Sequence, residues 1–212
     1  MGELIEDPFR AARLVLSLRR EGVTDHGVLS VIERVRRGDY VDSALSELAD
    51  EDCELPLPCG QTQLRPSVIA RVMQALELEP GNSVRCLVMG EESGYLAALL
   101  AELGHHVYVM SRYHTLVEHM RQRVPASVRV QHGDVLTGWP SASPFDRIIV
   151  LGGIEAVDIE LTDQLSSIGF VVAATGAHLD QNLQKIDRIG QLVETIGPIK
   201  TVQITPGAST VL

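Results

Sequence analysis

The chain has 212 residues, 45% hydrophobic and 22% charged, with a formal net charge of −10. That length and balance fit one domain, or one with a small elaboration, able to bury a real core. The negative charge argues against nucleic acid as a partner, and the lack of a ~18-residue apolar run or a basic-then-apolar leader argues against a membrane, leaving a cytoplasmic location.

Residues 9–23, "FRAARLVLSLRREGV", mix Leu14, Leu16 and Leu18 with arginines and stop at Gly22, the pattern of a helix. Thr24 or Asp25 caps a second helix that ends at Gly38. Residues 39–54 carry seven acidic side chains and no Lys or Arg, read as a solvated loop and helix face. "PLPCGQTQLRPSV" is punctuated as a loop, and Pro66 suits the first turn of a helix running to about Leu78.

From Asn82 the pattern becomes strand and helix in alternation. Apolar runs of strand length cover 84–89, 107–110, 128–131, 147–151 and 170–174. Helical stretches cover 94–103, 115–123 and 158–167, and residues 182–204 read as strands without helices. This predicts an α/β fold: a mostly parallel, Rossmann-like sheet with helices on both faces and an antiparallel C-terminal edge. The chain is expected to form a single domain, with residues 1–80 as a helical cap and substrate loop over a core of 81–212.

Cys53, Cys59 and Cys86 form no CxxC pair, and neither His105–His106 nor His114 with His119 has helical ligand spacing, so no metal site is expected. In a parallel sheet the ligand crevice lies at the carboxyl ends of the strands. Gly90 and Gly94, then Ser111, then residues 132–134 should border it. Glu92, between the two glycines, brings a negative side chain to a place where backbone usually meets an anionic group.

Several motifs then fall in one order and spacing: "RGDYV" at 37–41, "LPLPCGQT" at 55–62, "SGY" at 93–95, "HGD" and "GWP" at 132–134 and 138–140, and "PFDRIIV" at 144–150. Along nearly its full length the chain resembles the protein-L-isoaspartate O-methyltransferases. The resemblance implies a class I methyltransferase fold, S-adenosylmethionine as cofactor, and a protein or peptide substrate whose isoaspartyl carboxylate is methylated. It carries Gln61 and Thr62 over as substrate-loop residues, and Gly90, Gly94 and Asp134 as cofactor residues.

The same resemblance exposes departures. The acid expected two residues before the first loop glycine is Val88. The middle loop glycine is Glu92, the ribose-gripping acid at the end of the second strand is Ser111, and the substrate-loop serine is Leu64. A carboxylate–diol contact is worth about 1.5–3 kcal/mol per hydrogen bond. Cofactor binding is therefore expected to be weak or absent, with a dissociation constant above ~100 µM, and the protein is read as a non-catalytic binding or regulatory module. The alternative is an active carboxyl methyltransferase with a rebuilt site. Tyr95 and Trp139 are read as packing residues, Cys59 as a poor nucleophile, and Arg65 as a solvated loop residue with a lesser claim on a carboxylate ligand.

Overall fold

The computed structural model describes residues 9–79, 81–177 and 180–209. Three helices open the described chain: α1 (Arg10–Arg20), α2 (His26–Arg34) and α3 (Pro66–Ala75). Asp25 caps α2, its carboxylate accepting from the Val28 N–H at 2.9 Å. Asp25→Ala should cost about 1 kcal/mol, read as a lower urea midpoint at unchanged m-value. Pro66 stands in the first turn of α3, where its missing N–H leaves no gap.

The second helix stops at Arg34, short of the expected Gly38, because Val35 turns extended and Arg37 is drawn inward to open a 3-10 turn, Arg37–Tyr40. The segment expected to be plain loop holds a small hairpin, in which β1 (Leu55–Pro56) pairs antiparallel with β2 (Thr62–Gln63).

The remaining elements alternate. They are β3 (Arg85–Met89), α4 (Tyr95–Glu102), β4 (His106–Ser111), α5 (His114–Arg123), β5 (Arg129–His132), β6 (Phe145–Ile154), α6 (Ile159–Thr162), β7 (Leu165–Ala177), β8 (Asp180–Asp187) and β9 (Leu192–Ile199). Strands β3 to β9 form one seven-stranded sheet in the order β5-β4-β3-β6-β7-β8-β9. Pairs from β5 through β7 are parallel, and β7-β8 and β8-β9 are antiparallel. This is the mostly parallel, Rossmann-like sheet with an antiparallel C-terminal edge read from the sequence.

Alternation along each strand divides the core in two. Cys86, Val88, Val109 and Ile149 face the side covered by the N-terminal helices, α4 and α5. Leu87, Met89, Met110 and Ile148 face the side covered by Trp139, Leu161 and the chain around Ile204. One predicted helix is largely replaced. Residues 158–167 give only the single turn of α6, and β7 already begins at Leu165, opposite Phe145. The Gln164 side chain, buried, bonds the Trp139 N–H and the Thr137 and Glu160 carbonyls, while Ser166 donates to Asp146. These anchors outweigh local helical preference. Among the described residues no helix is long and apolar enough to cross a membrane.

Candidate active site

The sheet order reverses between β3 and β6, and the loop after β3 lies at that point. Gly90 has φ 74°, and a Cβ there would stand 2.3 Å from the Gly152 backbone N of β6. Gly94 has φ 83°, and a Cβ would meet Val124 at 2.7 Å. Both glycines are thus required by the protein's own packing.

Between them the loop has been filled with carboxylates. Glu91 turns back over the start of α4. One oxygen accepts from the Ser93 hydroxyl and N–H, the other from the Gly94 and Leu96 N–H groups at 3.1 and 3.3 Å. The helix N-terminus therefore receives its negative partner from within the chain. Burial still pushes the Glu91 carboxyl upward, with the loop donors pulling it back.

Glu92 is buried beside Ser111. Burial raises its carboxyl to about 7; a hydrogen bond from Ser111 pulls it down, Glu91 pushes it up and the Arg112 guanidinium pulls it down. Among the described residues its Oε2 is buried with no hydrogen-bond partner, and so is Nε of neighbouring Arg112. An orphaned acceptor and an orphaned donor thus sit at the carboxyl end of β4. Ser111 itself is fully buried and accepts from the Tyr113 N–H at 3.1 Å.

On the next strand's end Asp134 is already engaged, Oδ1 by the Leu136 N–H and Oδ2 by the Gly207 N–H at 2.8 Å. The C-terminal stretch also reaches the end of β4, where the Ser209 N–H donates to the Arg112 carbonyl. Gln61 reaches across from the β1–β2 hairpin, its amide donating to the Tyr113 hydroxyl at 3.2 Å. Thr62 is half-buried in β2. Leu64 points its side chain into the core, 4% exposed, and its carbonyl accepts from Arg37.

Tyr95 is fully buried, its ring 5.6 Å from that of Tyr40, which makes it a packing residue. Trp139 stands edge-on to Tyr108. Cys59 has a left-handed backbone, and both burial and the Glu92 charge push its thiol up, so the thiolate needed for attack is disfavoured.

The model of the family described as "Protein-L-isoaspartate(D-aspartate) O-methyltransferase (PCMT)" matches residues 10–208. A protein-L-isoaspartate O-methyltransferase of Parvibaculum lavamentivorans is 37% identical over 205 residues, covering 92% of this chain and 91% of the relative. The chain belongs to the protein-L-isoaspartate O-methyltransferase family.

Another member, from Halorhodospira halophila, is 40% identical over 186 residues, covering 86% of this chain and 84% of the relative. The fold agrees as well. A Plasmodium falciparum beta-aspartate methyltransferase chain, solved in complex with S-adenosyl-L-homocysteine, superposes with a TM-score of 0.76 at 20% identity, over 91% of this chain and 97% of that one.

Within this family frame Glu91, Arg37 and Arg112 are the residues that sequence reasoning passed over. A signal for Glu91 was present. The resemblance implies acids at the positions of Val88 and Ser111, and the chain carries two side by side in the loop at Glu91 and Glu92.

Proposed function

We propose that this family member is an S-adenosylmethionine-dependent carboxyl methyltransferase acting on isoaspartyl residues of proteins, with a cofactor site rebuilt around the loop after β3. The observation that carries the reading is the buried, unpartnered Oε2 of Glu92 beside Ser111. A carboxylate oxygen without a donor is costly to bury. A ribose diol supplies hydroxyl donors for it, and the unpartnered Nε of Arg112 offers a donor in return.

In this reading the acid that the family places at the end of β4 has moved to the adjoining loop, and Ser111 orients it. Glu91 holds the loop against α4 in place of the acid lost at Val88. The cofactor supplies the activated methyl group, so the chain's task is alignment and exclusion of water. With no hydroxyl at Leu64, positioning of the incoming carboxylate falls to Thr62 and Gln61. Damaged proteins of the cytoplasm would be the substrates.

A second reading, a non-catalytic module with cofactor affinity weaker than ~100 µM, is favoured by Asp134, whose two oxygens are both taken by backbone N–H groups. Calorimetry with S-adenosylhomocysteine on the parent and on Glu92→Gly separates the two. A rebuilt site binds at micromolar concentration and loses tenfold to a hundredfold on the substitution, the value of one charge-assisted hydrogen bond. An occluded site binds weakly and gains affinity instead. Radiolabel transfer to an isoaspartyl peptide above a no-enzyme control is the companion measurement.

A further inference from the structure

At the glycine loop four consecutive backbone donors stand where a helix start ordinarily meets an anion. All four are taken from within the chain. The Ser93, Gly94 and Leu96 N–H groups donate to Glu91 at 3.2, 3.1 and 3.3 Å, and the Tyr95 N–H donates to the Ser93 hydroxyl oxygen at 3.1 Å. The Ser93 hydroxyl donates to Glu91 as well. Four donors thus converge on one carboxylate, which offers roughly four lone-pair sites, and donors on every side favour its ionised form.

The loop is therefore closed to anions twice over. No N–H from Ser93 to Leu96 is left for a ligand's anionic group, and the Glu91 charge repels one. The next residue repeats the sign. Glu92 is 6% exposed, its Oε2 has no donor among the described residues, and the charge of Glu91 reaches it. Among the described residues neither carboxylate forms an ion pair with a basic side chain. Two buried acids beside the Arg112 guanidinium leave this end of the crevice short of positive charge. We propose that Glu91 sets the ligand specificity of the crevice: it favours a nucleoside whose 5′ chain ends in a cationic group and discriminates against one that ends in a carboxylate. The proposal rests on the nucleoside site read at Glu92 and assigns the charge of the ligand's far end. S-adenosylmethionine carries both an ammonium and a carboxylate there, and the ammonium is the group the loop favours.

The test is calorimetry on the whole chain with two analogues of S-adenosylhomocysteine. One keeps the amine and lacks the carboxylate; the other keeps the carboxylate and lacks the amine. The amine analogue should bind roughly tenfold tighter or better. Glu91→Gln, checked for unchanged thermal unfolding, removes the charge at nearly constant shape. It should narrow the ratio to about threefold or less, chiefly through a gain for the carboxylate analogue, whereas a residue that only held the loop would weaken both alike. Should the variant unfold, the ranking in the parent decides. Equal affinities in the parent, a preference for the carboxylate, no binding of either analogue, or a ratio left intact in folded Glu91→Gln overturns the proposal. Micromolar binding of S-adenosylhomocysteine with no preference between the analogues would remove this inference alone. A preference for the amine in a protein that takes up no S-adenosylhomocysteine would remove the methyltransferase reading alone.

Discussion

Arg37→Ala should destabilise the protein by about 4–6 kcal/mol, much of the stability of an ordinary domain. Arg37 is 2% exposed, and among the described residues no carboxylate pairs with it directly. Nη1 donates to the Ala49 and Glu51 carbonyls at 3.2 and 3.3 Å, and Nη2 to the Cys53 and Leu64 carbonyls at 2.8 and 3.1 Å. One side chain therefore ties the acidic segment before the β1–β2 hairpin to the residue that follows it. Removing it leaves four carbonyls short of a donor, each worth roughly 1–3 kcal/mol if it stays buried, and the total is reduced because the segment can open to water. Arg37→Lys should recover less than half of the loss, because an ammonium cannot span four carbonyls in two directions. Urea unfolding followed by circular dichroism measures both, and a loss under about 1 kcal/mol for the alanine variant would contradict the role.

The second large effect is a pH dependence centred on Glu92. Its carboxyl rises from an ordinary 4.5 to about 7 on folding. A group raised on folding contributes its full stability below about 4.5 and loses it as pH climbs through 7. At about 1.4 kcal/mol per tenfold change in proton affinity, the loss builds between these two values, reaches about 3 kcal/mol at pH 7 and changes little above it. Glu92→Gln, which stays neutral, should therefore unfold at a higher temperature than the parent at pH 8.5, with the gap closing towards pH 5. A ligand that donates to Glu92 favours the charged form, so binding should release a proton and strengthen from pH 5.5 to 7.5. Parallel melting curves for parent and variant across this range would sink the argument.

Much of the sheet was legible because parallel strands covered on both faces read as unbroken apolar runs, as at residues 84–89 and 147–151. The start of β7 was not. Residues 158–167 carry a helical pattern, and only the tertiary anchors of Gln164 and Ser166 convert its second half to strand. The glycine loop was located by its spacing, and the buried environment of Glu92 follows from its position there. What Glu91 does was hidden, because a carboxylate bonding amides two to five residues onward depends on how the loop folds. Arg37 was hidden for another reason. Its partner Leu64 lies 27 positions away, and sequence spacing carries no trace of that contact.

Trp139, the single tryptophan of the chain, gives these experiments an optical probe of their own. Its ring stands 5.5 Å from Tyr108 on the face of the sheet opposite the N-terminal helices, in the cluster around Phe145 and Leu165. Its emission therefore follows the far layer of the core, while Arg37 secures the near one. In Arg37→Ala, a loss of helical ellipticity that precedes the tryptophan red shift would show the N-terminal region peeling from an intact sheet. Coincident transitions would show both layers melting as one cooperative unit.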